Sequence, residues 1–154
     1  IVMINENLKL SGQLNIVLTD KAGIVKEQRE VKNLVVNAGL AYIISRMLNT
    51  SKSVMSHMAL GSGTTAAAAS QTDLGTTLGS REALTSSTIT GSNNEKIVYV
   101  ATFDAGDATG AVAEAGVFNA STSGDMLCRT VFSVVNKQAD DTLSVTWTIT
   151  LAAS

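Results

Sequence analysis

The stretch "TLSVTWTITLA", residues 142–152, decides the fold. Val145, Trp147, Ile149 and Leu151 alternate with Ser144, Thr146, Thr148 and Thr150, and a period of two sends the two sets to opposite faces of a strand. One face is apolar and the other is a row of hydroxyls, so the strand is expected to be half-buried with Trp147 in the core. β-Branched and aromatic side chains suit that pleated, one-side-buried setting.

Similar short runs recur along the chain between Gly, Asn and Asp breaks. "SHMALGSG" reads as a strand entering a turn, "REALTSSTIT" as a strand with its polar face outside, and "KIVYVATF", "AVAEAGVFN" and "MLCRTVFSVV" as three more. Near the start, Leu14, Ile16 and Leu18 alternate with polar neighbours except at Val17. "TDKAG", residues 19–23, then reverses the chain into a second, more charged strand carrying Lys26, Glu27, Arg29 and Glu30 outward. One segment has the other period. Leu40, Ile43, Ile44, Met47 and Leu48 fall at i, i+3, i+4, i+7 and i+8, which predicts a helix from about Ala38 to Asn49, its apolar stripe buried on a sheet and Asn37 as N-cap. The expected fold is mainly β: a single-domain antiparallel sandwich or barrel-like fold with one short helix packed on it. Residues 1–31 form an N-terminal arm and hairpin, and residues 32–154 the β-rich domain.

Length and composition narrow the function. A chain of 154 residues is long enough for one continuous core. Charged residues make up only 16%, against about 25% in an average soluble domain, so the surface is expected to be rich in Ser, Thr, Asn and Ala. The formal charge is −2 and the cations are scattered, which argues against a nucleic-acid surface. No apolar run approaches the roughly 20 residues of a membrane span, and no signal-peptide pattern opens the chain. A single cysteine, Cys128, rules out an intramolecular disulfide and Cys-rich zinc sites.

The chemistry-bearing residues are few. "GSGTTAAAAS", residues 61–70, has the glycines of a phosphate cradle but no following Lys. It reads instead as a turn in which Gly61 and Gly63 adopt positive φ and Thr64 or Thr65 caps a short alanine helix. His57 and Cys128 are the only His and Cys, and neither has a local partner pattern for nucleophilic catalysis or a metal site. "DAGDATG", residues 104–110, and "NKQADD", 136–141, lack the ligand spacing of a calcium loop and fit turn aspartates. Glu114 stands in an otherwise apolar segment, and a lone buried carboxylate is costly, so Arg81 or Arg129 is expected to pair with it in a structural salt bridge. No enzymatic activity and no cofactor or metal is expected. The apolar tetrapeptide Ile1, Val2, Met3 and Ile4 is either core or an arm that adds to a neighbouring subunit. Thr64, Thr65, Ala66, Ala67, Ala68 and Ala69 form a surface excursion whose small side chains let another subunit approach.

In combination, "VKNLVVNAGLAYIISRML", "MALGSGTTAAAASQTDLGT", "EAGVFNASTSGDMLCRTVF" and "DDTLSVTWTITL" resemble a family of tailed-bacteriophage virion proteins, over most of the chain after about Val31. The resemblance implies a β-rich structural component without catalytic activity. It is found on the outer capsid as a cement or decoration protein, or in tail fibres and collars. With no fibre repeat or heptad, the chain looks like a compact ornament more than a shaft. The expected partners are therefore copies of itself in a homotrimer and the major capsid protein, with no nucleic acid and no membrane. The alternative is a fibre adaptor or host-binding tail component contacting tail proteins or a host receptor. A third class, a cell-wall hydrolase, would need an acidic pair in a cleft.

Overall fold

A computed structural model describes residues 7–49 and 52–153. Among the described residues, ten strands and one helix form the fold, the strands making two five-stranded antiparallel sheets that face each other. The first contains β1 (Leu8–Thr19), β2 (Val25–Lys32), β6 (Ser86–Thr90), β7 (Lys96–Phe103) and β10 (Thr142–Ala153), in the order β2-β1-β10-β7-β6. The second contains β3 (Leu34–Val35), β4 (His57–Gly61), β5 (Glu82–Ala83), β8 (Gly110–Phe118) and β9 (Met126–Lys137), in the order β3-β9-β8-β4-β5. This is a β-sandwich-like single domain, as the alternation along the chain predicts.

The fold-deciding strand is the centre of the first sheet. β10 pairs with β1 from Leu8↔Ala153 to Thr19↔Thr142, and with β7 on its other side. That register puts Leu14, Ile16 and Leu18 level with Trp147, Val145 and Leu143, all buried. They pack with Met58, Leu60, Val112, Val117 and Val135 of the second sheet. Trp147 Nε1 donates to Asn33 Oδ1 at 2.9 Å, so its polar end is satisfied inside the core. Asn33 itself is tucked under Gly12, where a Cβ would stand 1.7 Å from its Oδ1. The hairpin within residues 1–31 is thus part of the body: β1 is an interior strand of the sheet.

Three other expectations are revised. "REALTSSTIT" is two short strands in different sheets, because the chain crosses from β5 beside β4 to β6 beside β7. The helix α1 spans Asn37–Arg46, and residues 47–49 form a turn. Its N-cap is Val36, with no side-chain cap, and Asn37 instead donates its backbone N–H to Ala69 O at 2.8 Å. Most important, of the stripe predicted to be buried only Ile43 packs against the main core, and the other four residues face outward. Gly39 and Tyr42 are the buried residues, while Leu40 is 46% exposed, Ile44 62%, Met47 78% and Leu48 80%. The cause is Gly39: a Cβ there would sit 2.0 Å from Leu127 O, so the glycine face approaches β9 closely and turns the Leu-Ile-Met face to solvent.

Candidate functional site: a buried ion pair that pins a surface loop

The outer face of the second sheet is roofed by residues 62–81, which lack regular strand or helix pairing beyond a single bridge from Gly61 to Thr77. Alternation sets up what lies beneath. Leu60, Ala115 and Val117 point to the main core, so Ala59, Gly61, Glu114, Gly116 and Phe118 point to the roof. Ala59 and Phe118 join Val36, Met126 and Leu74 in a second, smaller apolar cluster, with Leu74 supplied by the roof itself.

Glu114 and Arg129 lie in the middle of this face, both fully buried. Arg129 Nη2 and Nε donate to Glu114 Oε2 at 2.7 and 3.0 Å. The other donors to the carboxylate come from the loop. Gly63 N and Thr76 N reach Oε1 at 2.9 and 2.7 Å, and Gly75 N reaches Oε2 at 2.9 Å. Arg129 completes the arrangement by donating to Gln71 Oε1 at 2.8 Å and Thr65 O at 3.0 Å. Gln71 Oε1 also accepts from Ala68 N, at 2.8 Å. One ion pair therefore holds the loop at residues 63, 65, 71, 75 and 76. Burial alone would raise the Glu114 carboxyl, but the hydrogen bonds from Thr76, Gly75, Arg129 and Gly63 outweigh it and hold the group below its ordinary value.

The glycines of the loop serve this approach and not a left-handed turn. Neither Gly61 nor Gly63 has positive φ among the described residues. A Cβ on Gly61 would lie 2.5 Å, and one on Gly63 2.4 Å, from Glu114 Oε1. The alanine helix expected after Thr64 or Thr65 is absent: residues 62–68 are irregular and 69–70 form a turn. Thr64, Thr65, Ala66, Ala68 and Ala69 are exposed and Ala67 is half-buried, so the excursion is open above and anchored from below.

Arg81 does not pair with Glu114. Its guanidinium stacks 3.5 Å from the centroid of the Phe118 ring and donates to Ala120 O and Ser123 O, closing the far end of the roof over a second turn. Ile1, Val2, Met3 and Ile4 lie outside the described residues. Sequence reasoning missed Gln71, Gly75 and Thr76. The available signal was Glu114 itself, since a buried carboxylate needs several donors and only glycine-flanked backbone can come that close.

Cys128 lies in the main core, and its burial pushes the thiol well above its ordinary value. His57 is on β4, two strands away in the β4-β8-β9 order, and its Nδ1 shares a 2.8 Å hydrogen bond with Ser56 Oγ. Asp104 O accepts from the buried Lys137 Nζ, and Asp141 pairs with Lys26 at 2.7 Å, so the two acidic turns are tied into the sheets. Among the described residues no cluster of His, Cys, Asp and Glu is placed to hold a metal ion. No protein-family model, curated protein or solved structure matches the chain.

Proposed function

We propose that the chain is a non-enzymatic structural protein of a tailed-bacteriophage virion. In this reading it is a cement or decoration protein that sits on the outer capsid as a homotrimer against the major capsid protein. The observation that supports this reading is the apolar face of α1. Leu40 and Ile44 of α1 stand exposed with Met47 and Leu48 of the turn that follows it, the helix being held to the body by Gly39 and Tyr42, and an apolar face on an otherwise weakly charged surface marks an interaction site. Covering the four side chains is worth on the order of 5 kcal/mol in transfer free energy, before the cost of association. That is weak for one copy and sufficient when many copies engage a lattice. The pinned loop at 64–69 offers a second, close-packing contact.

The test is co-sedimentation of the protein with virions of the phage that encodes it, with densitometry of its copy number. Hundreds of copies per particle are expected for cement, on the reasoning that one small subunit decorates every lattice position. A copy number in the tens would favour the tail component instead. Ile44→Glu with Met47→Glu should abolish binding and leave the melting midpoint unchanged. Full binding by that variant would refute α1 as the contact.

A further inference from the structure

The outer face of the first sheet carries a cleft of about 690 Å³, within the size range of small-molecule sites. Its floor is the hydroxyl row of β10, Thr146, Thr148 and Thr150, beside Ser11, Gln13 and Asn15 of β1. The register aligns them in pairs, Ser11↔Thr150, Gln13↔Thr148 and Asn15↔Thr146. Lys9, Lys32 and Lys96 stand around this floor, and Glu30 is the one carboxylate in the lining. The cleft thus carries a net charge of about +2 in a chain whose net charge is −2.

These three lysines differ from most others in the chain. Lys26 and Lys52 are in ion pairs and Lys137 donates to Asp104 O, whereas Lys9, Lys32 and Lys96 make no ion pair with a described residue. Glu95, next to Lys96, is folded back on its own turn, accepting from Asn93 N at 2.9 Å. Asn15 Oδ1 is buried without a hydrogen-bond partner among the described residues. Its amide can turn about a broad χ2 to offer that oxygen to a hydroxyl donor.

We propose that this cleft binds a carboxylated oligosaccharide, its hydroxyls on the Thr, Ser, Gln and Asn floor and its carboxylates on the three lysines. The lining argues against a nucleotide, and its lysines would hold a free phosphate only as point charges. It has no aromatic ring on which a nucleobase stacks and no Arg to grip phosphate in a bidentate fork. Without an aromatic platform a neutral sugar has only exchangeable hydroxyl contacts, so charge must supply the hold. The three polar pairs follow one another at every second residue, about 6.8 Å apart along the strands, so the floor offers a row of hydrogen-bonding groups to a chain of sugars lying along β1 and β10.

The test is an NMR titration of the full chain with tetragalacturonate, maltotetraose, inorganic phosphate and tetraglutamate at low ionic strength. Saturable shifts are expected at the backbone amides of Ser11, Gln13, Thr148 and Thr150 with tetragalacturonate alone. The triple variant Lys9→Gln, Lys32→Gln, Lys96→Gln should weaken binding at least about tenfold at an unchanged melting midpoint. Should the triple variant melt early, Lys9→Gln alone, at an exposed position, is expected to weaken binding about threefold. The proposal is overturned by no saturable shift, by equal or tighter binding of any of the other three probes, or by lysine variants that bind like the parent.

Discussion

Replacing Glu114 by Gln removes one charge and almost no volume, and it isolates the work of the pinned loop. A Gln amide cannot serve the site in either orientation. If its NH2 replaces Oε1 it faces the N–H groups of Gly63 and Thr76, and if it replaces Oε2 it faces Gly75 N–H and two N–H groups of Arg129. Arg129, fully buried, keeps its charge with only neutral oxygens to accept from it, those of Gln71 and Thr65 and, in one orientation, the new amide's own. Breaking a buried pair from one side costs about 3–5 kcal/mol, a large share of the roughly 5–15 kcal/mol that holds a domain together. At about 2–4 °C per kcal/mol for a chain of this size, the melting midpoint should fall by roughly 6–20 °C. Urea denaturation measures the free energy, and amide exchange should show protection lost at Gly63, Gly75 and Thr76. Arg129→Met supplies the contrast, because the carboxylate keeps its three backbone donors and those amides stay protected while the 64–71 segment loosens. Converting both residues, Glu114→Leu with Arg129→Met, should not restore stability, since three backbone N–H groups remain orphaned at about 1–3 kcal/mol each. If Glu114→Gln lies within about 1 kcal/mol of the parent with the three amides still protected, the reasoning is refuted.

Gly39→Ala would stabilise a free helix by about 1 kcal/mol. Here its Cβ meets Leu127 O, so a net loss of about 1–3 kcal/mol is expected in urea denaturation, and a gain would show that α1 does not pack as described. Acid should destabilise through Glu114. Its folded pKa is depressed, so its contribution is complete above the ordinary value of 4.5 and is lost as pH falls from there through the folded value. The melting midpoint should therefore drop below about pH 4.5, and the Glu114→Gln variant should show a shallower drop over that window. Cys128 should resist a thiol reagent in native buffer and react fully in denaturant; rapid native labelling would contradict its burial.

The strands were legible because their signal is local. Period-two alternation in "TLSVTWTITLA" assigns Trp147 to the core whatever its partners are, and the structure buries it. Glu114 was legible as a residue in need of a partner for the same kind of reason, a charge inside an apolar run. Its choice of Arg129 over Arg81 was not, because Gly116 and Arg129 become neighbours only when β8 and β9 pair, and that register includes a bulge between Val112 and Glu114. The helix shows the opposite failure. Two apolar faces compete on α1, and the larger stripe lost to the one with the glycine. Packing rewards the closest backbone approach, and hydrophobicity summed along a chain carries no information about what stands opposite.

Local patterning was enough to fix the β-rich class, the strand that centres the first sheet, a helix near residues 38–49 and a buried carboxylate requiring donors. Which cation answers it, which loop the pair gathers, and which helix face meets solvent followed only from the packing of the sheets. Strand pairing also brought Lys9, Lys32 and Lys96 from three strands to one hydroxyl floor. The division follows from range: side-chain alternation is written between neighbours, whereas ion pairs, glycine contacts and clefts arise between residues that only strand register brings together.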